Sequence, residues 1–139
     1  MQKFLTKGDN MLNIENFITK IRTLIKDELN ITIHSPDLPQ SVSDIGCITS
    51  LNGSTINSLT NDNLYNGLQF RILYRGTQND TLTRAKIDSI FNYLHLLKDE
   101  SFTDGNIINI IGSIPIYAGR DENENILYNT TFIANVEGE

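Results

Sequence analysis

The run Ile126-Leu-Tyr-Asn-Thr-Thr-Phe-Ile-Ala-Asn-Val136 constrains the fold more than any other stretch of the chain. Ile126, Tyr128, Thr130, Phe132, Ala134 and Val136 recur at every second position, which puts them on one face of a pleated strand. Such a strand has a face to bury, so other parts of the chain must cover it. Just upstream, residues 114–117 form a strand end. Gly119-Arg-Asp-Glu-Asn123 is then a polar stretch between two β-type runs, which reads as the tip of a hairpin or a corner.

Two helical stripes supply the cover. Asn13 is the N-cap candidate for a helix over 14–29, where Ile14, Phe17, Ile18, Ile21, Leu24, Ile25 and Leu29 fall at helical spacing. Lys20, Lys26, Asp27 and Glu28 take the opposite face. Asp80 or Thr81 caps a second helix predicted over 80–97, lined on one side by Leu82, Ala85, Ile90, Phe91, Leu94 and Leu97. Strands are predicted at 31–33, 45–51, 67–75 and 107–111. In the third of these Leu68, Phe70, Ile72 and Tyr74 alternate with Gln69, Arg71, Leu73 and Arg75. Helix, strands, helix, strands is the order of an α+β fold, with a mainly antiparallel sheet and both helices packed on one face. The expected core holds Phe17, Ile21, Leu24, Phe70, Ile72, Ile90, Phe91, Leu94, Tyr128 and Phe132.

A chain of 139 residues has the length of one domain, assigned here to residues 13–136. Residues 1–12 show no period and read either as a flexible N-terminal arm or as an extension upstream of a start at Met11. Ser35-Pro-Asp-Leu-Pro39 is a turn. Residues 52–66 are polar and Asn-rich, the composition of a long surface loop, expected to be mobile in a free subunit and ordered in an assembly.

Net charge is −6, so sequence-independent attraction to nucleic-acid phosphates is disfavoured; the basic residues Lys20, Arg22 and Lys26 share one helix with Glu15, Asp27 and Glu28. No run approaches the ~18 apolar residues of a membrane span. The N-terminus lacks the apolar centre of a secretory signal, and Cys47, the single cysteine, has no intramolecular partner; synthesis in a cytoplasm fits.

Little in the chain suggests catalysis. His34 and His95 lie far apart and outside any metal-spacing motif, so structural or solvent roles are expected for both. Cys47, between Gly46 and Ile48, reads as a small core residue rather than a nucleophile. Asp121-Glu-Asn-Glu-Asn125 has the acidity of a calcium loop without its Asp-x-Asp-x-Asp-Gly pattern, so a solvated turn is expected. No glycine-rich phosphate loop is present, and no cofactor or metal is expected. What does stand out is charge on strands: Arg71 and Arg75 on the polar face of 67–75, and Arg120 beside Asp121 in the corner. Either these are solvent-facing charges that discourage edge pairing, or they meet carboxylates of a neighbouring subunit.

Three blocks, in order, carry a family resemblance: the helix over 14–29, the strand Phe70-Arg-Ile-Leu-Tyr-Arg-Gly76 leading into a helix, and the Gly119-Arg-Asp-Glu-Asn123 corner with its Tyr128 to Phe132 strand. Together they cover most of residues 12–136, and the chain resembles the tail-terminator and minor capsid proteins of long-tailed bacteriophages. It departs from them in carrying Thr131, where many relatives have Asn, before Phe132, and in the Asn- and Ser-rich region 35–66. The resemblance implies a non-enzymatic virion protein at the tail–head junction, made in the bacterial host cytoplasm. It implies a ring, typically a hexamer, that ends the tail tube and joins the neck. Implied partners are other copies of itself, the major tail tube protein and a head-completion or neck protein. Phage DNA would pass through the lumen without specific binding, and no membrane is involved. Arg71, Arg75, Arg120 and Asp121 are the expected subunit or partner contacts. The alternatives are another neck component, such as a head-completion protein, and a small prophage-encoded enzyme.

Overall fold

β7 (Ile126–Gly138) organises the molecule. The computed structural model describes residues 13–51 and 64–138. In it the buried and outward positions of β7 alternate along its whole length, as the period-two pattern requires. One edge of β7 pairs antiparallel with β3 (Leu64–Arg75), placing Phe70 opposite Phe132 and Tyr74 opposite Tyr128. The other edge is shared end to end by β5 (Gly105–Gly112) and β6 (Ile116–Arg120), both antiparallel to it. Beyond β3 lie β2 (Ile45–Ser50) and the two-residue β1 (Ile33–His34), and beyond β5 lies β4 (Lys98–Phe102). The sheet has seven strands in the order β1-β2-β3-β7-β5-β4, with β6 also on β7, and only the β1–β2 pair is parallel. With two helices the fold is α+β, as expected.

Helix α1 (Ile14–Leu29) starts where Asn13 accepts a hydrogen bond from the Glu15 N–H (2.9 Å). It ends at Asn30, whose left-handed φ of 57° suits an asparagine C-cap. It buries Phe17, Ile18, Ile21 and Ile25. Helix α2 (Asp80–Leu94) is capped by Asn79, which accepts from the Leu82 N–H (3.1 Å), rather than by Asp80 or Thr81. It also stops at Leu94 instead of 97, because Leu96 turns to a φ of 71° and its N–H is taken by Ile110 O (2.7 Å). Its buried stripe is Thr83, Ile87, Ile90 and Leu94, spaced i, i+4, i+7, i+11. The expected stripe was turned too far: Leu82 is 60% exposed and Ala85 is exposed. A buried threonine hid the true register. Thr83 tolerates its position because its Oγ1 accepts from the Thr77 N–H (3.1 Å) and donates to Thr77 O (3.4 Å). A Cβ on Gly76 would sit 2.1 Å from that same oxygen, so the Arg75-Gly76 end of β3 lets the helix come this close.

Both helices cover one face of the sheet. The core there contains every expected residue but Leu24, which is half-buried outside it, and Phe91, half-buried, packs against it. Aromatic rings run through it in contact: Phe102 on Phe17 (6.1 Å), Phe17 on Phe70 (5.6 Å), Phe70 stacked on Phe132 (5.1 Å), Phe132 on Phe91 (6.4 Å). Such pairs add about 0.5–1.5 kcal/mol each beyond the area they bury.

The sequence reading also missed a hairpin. Residues 98–102 and 105–112 pair as β4 and β5, where only a strand over 107–111 had been expected. Charged Lys98, Asp99 and Glu100 obscured a strand that lies on the sheet edge and has no buried face to advertise. Of the loop expected over 52–66, residues 64–66 belong to β3. Residues 52–63, like the arm 1–12, lie outside the described residues.

Truncating Phe70 should cost ~3–5 kcal/mol, a large share of the ~5–15 kcal/mol that holds a domain together. Leu82→Ala should change stability by no more than ~0.5 kcal/mol, as at an exposed position. Urea unfolding of both variants measures this. Comparable losses at the two sites would show that α2 packs on the face first expected of it.

Candidate functional site

The face of the sheet opposite the helices meets solvent over β3, β7 and the β5–β6 line. Register fixes its occupants. Gln69, Arg71 and Leu73 on β3 stand beside Ile133, Thr131 and Asn129 on β7, and these in turn stand beside Ile111 on β5 and Ile116 on β6. Gln69, Ile111, Ser113, Thr131 and Ile133 line a shallow depression of about 200 Å³. Three residues, 113–115, bulge between β5 and β6 and turn Ile114 outward. Ile114 is 75% exposed, Ile116 62% and Tyr117 53%, with Ile111 and Ile133 also exposed. A cluster of exposed isoleucines marks a surface that something else covers. Strand patterning pointed to the charges on this side of the molecule and passed over the isoleucines, because β5 and β6 read as ordinary sheet interior.

The four expected contact residues divide into two kinds. Arg75 and Asp121 meet within the subunit. Arg75 Nε lies 2.9 Å from Asp121 Oδ2, but its N–H does not point along that line, so the contact is an ion pair and not a directed hydrogen bond. Arg75 Nη1 donates to Pro39 O (2.6 Å) and Val42 O (3.0 Å). One guanidinium thus ties the segment after β1 to the corner after β6, across the end of β7. Asp121 Oδ1 accepts from the Asn123 and Asn125 N–H groups, both at 2.9 Å, and so caps the turn itself. Gly119, at φ +99°, sits where β6 slips register against β7, a backbone shape that a side chain strains. Arg120 and Arg71 are different. Arg120 is exposed and donates from Nη1 to Glu124 O (2.9 Å). Arg71 is exposed on the open face, without a hydrogen bond or ion pair among the described residues.

The corner is therefore a fixed knob. With Asp121 spent on two amides and an arginine, its carboxylate is not offered to a metal ion, and no His, Cys, Asp or Glu cluster able to hold one occurs among the described residues. The other chemical candidates take structural positions. Cys47 is buried, which raises its thiol pKa and keeps it inert. His95 accepts the Gly112 N–H at Nδ1 (3.0 Å) and stacks on Phe91. Tyr74 and Tyr128 donate to Asp44 (3.0 Å) and Asp80 (2.7 Å), and burial first, then those carboxylates, raise both phenol pKa values. No described helix is long and apolar enough to cross a membrane.

Burial alone would raise the Asp121 pKa. The Asn125 and Asn123 amides and Arg75 outweigh it and hold the carboxyl below its ordinary range. A depressed folded pKa stabilises above the unfolded value, and that stability is lost as pH falls through the folded one. Asp121→Asn should therefore destabilise the protein at neutral pH, and its difference from wild type should shrink to nothing in acid. Thermal melts across that range read it; a difference that stays constant would mean that the charge is not what holds the corner.

Comparison of the sequence with known proteins assigns it to a family. No curated protein matches the chain. A sequence model described as "Bacteriophage tail terminator protein" matches residues 17–137, and takes in the second and third blocks that carried the resemblance and all but the first three residues of the first. The chain belongs to the bacteriophage tail terminator family, and it is a structural phage tail protein.

Proposed function

We propose that this protein forms a closed ring, a hexamer, on the head-proximal end of the phage tail tube, where it stops tube growth and offers a docking surface to a head-completion or neck protein. Its partners are its own copies, the major tail tube protein and the neck; its place in the virion is the tail–head junction. It performs no catalysis. The observation that carries this reading is the open side of the sheet, where Ile111, Ile114, Ile116 and Ile133 are exposed together on a chain of the tail terminator family. A subunit in a ring buries such a surface against its neighbours, whereas a free monomer leaves it in water. The net charge of −6 suits a lumen through which DNA slides without sticking.

Arg120 and Arg71 make contacts between molecules, and the Arg75–Asp121 pair holds the corner that presents Arg120. Arg120→Glu should leave the melting temperature of the isolated subunit unchanged, since an exposed side chain with one backbone hydrogen bond contributes little to folding. It should prevent ring assembly, so that tails grow to irregular lengths and fail to join heads. Electron micrographs of lysates from phage carrying the variant decide the matter. Uniform tails and infectious particles would reduce Arg120 to a solvated charge.

A further inference from the structure

We infer that the ring contact is a knob in a groove: the acidic β6–β7 corner of one copy seats in a basic groove beside α1 of the next. This rests on the ring reading and specifies its interface. The groove holds about 350 Å³ between α1 and β1, and Arg22, Thr23, Lys26, Asp27, Thr32 and Ile33 are among its lining residues. Arg22 donates only its Nε, to Ile33 O (2.7 Å), so its two Nη groups keep their donors, and Lys26 Nζ reaches Thr32 Oγ1 at 3.3 Å. Two cations and a row of threonine hydroxyls in a chain of net charge −6 make a seat for carboxylates. The corner supplies them. Glu122 and Glu124 are exposed at its tip, on a turn that Asp121 and Arg75 keep in shape. The minor charges match too, with Arg120 beside the two glutamates and Asp27 beside the two cations.

The corner cannot fill its own groove. β2, β3 and β7 lie between β1 and β6, so the two sites are roughly 19 Å apart at the usual strand spacing. The contact therefore joins two different patches of two copies, the head-to-tail arrangement that generates a ring when its rotation closes. It also covers the apolar surface. Among the described residues β6 pairs only with β7, so its outer edge is free, whereas the outward carbonyl of Ile33 on β1 is taken by Arg22; the seated corner brings Ile114 and Ile116 against the neighbour's β1 side.

Complementary charge makes a reciprocal test possible. One variant, Glu122→Lys/Glu124→Lys, turns the knob basic. The other, Thr23→Glu/Lys26→Glu, turns the groove acidic while sparing the Arg22 bond to Ile33. All four side chains are solvent-facing, and thermal melts verify folding. Sedimentation, with and without tail tubes, should show each variant alone associating on the order of tenfold or more weakly than wild type. An equal mixture should regain wild-type assembly, because each knob then meets a groove of opposite sign and the copies alternate. Wild-type association should also weaken as salt rises. Either variant assembling normally alone, a mixture that stays dissociated, or salt-independent assembly would overturn the knob and groove while leaving the ring intact. A wild-type protein that never associates would overturn the ring reading with it.

Discussion

The stacking of Phe70 on Phe132 is the contact on which the rest of the structure depends. The two residues are direct cross-strand partners at the centre of the sheet, where side chains on one face come closest and couple most strongly. Phe17 brings α1 onto this pair from one side and Phe91 brings α2 from the other, while Phe102 secures the edge hairpin through Phe17. Because the apolar set on β7 repeats at period two, a slip of one residue would turn Phe132 outward and separate both helices from the sheet. The core thus fixes the register, and the register places every residue of the open face.

The guanidinium of Arg75 extends that order to the end of the sheet. It lies on the outer face of the strand that carries Phe70, so the position of the core sets its own. From there it joins the carbonyls of Pro39 and Val42 to the carboxylate of Asp121. The chain invests an arginine–aspartate pair, only 12% and 16% exposed, in the turn that joins β6 to β7. Rigidity there suits a recognition element, since a turn already held in its bound shape loses less conformational freedom on contact.

The sequence announced the parts of this fold whose residues alternate or repeat around a buried face. The alternation on β7 and β3 and the stripe of α1 were legible because one side of each element is apolar, Thr130 of β7 excepted. The stripe of α2 was misread because Thr83 is polar yet buried, satisfied by the backbone of Thr77, while Leu82 is apolar yet exposed. The β4 strand was invisible because an edge strand in this sheet buries little of itself. At the site, the charges were picked out by their residue type, but nothing local revealed that Arg75 and Asp121, far apart in the chain, would pair with each other and leave Arg71 and Arg120 outward. The isoleucines of β5 and β6 carried a signal of the opposite kind. All looked like core; Ile107 and Ile110 are, but Ile111, Ile114 and Ile116 are left exposed by the described residues, because the helices lie on the other face.

A small α+β subunit with a rigid acidic corner, a basic groove across the sheet and a bare apolar strand edge has what a closed assembly needs. Assembly is therefore the central claim. Native mass measurement combined with electron microscopy of the purified protein mixed with tail tubes tests it most directly. The proposed function predicts rings of six copies capping one end of each tube. A protein that stays monomeric with tubes present, its isoleucine surface open to solvent, would contradict it.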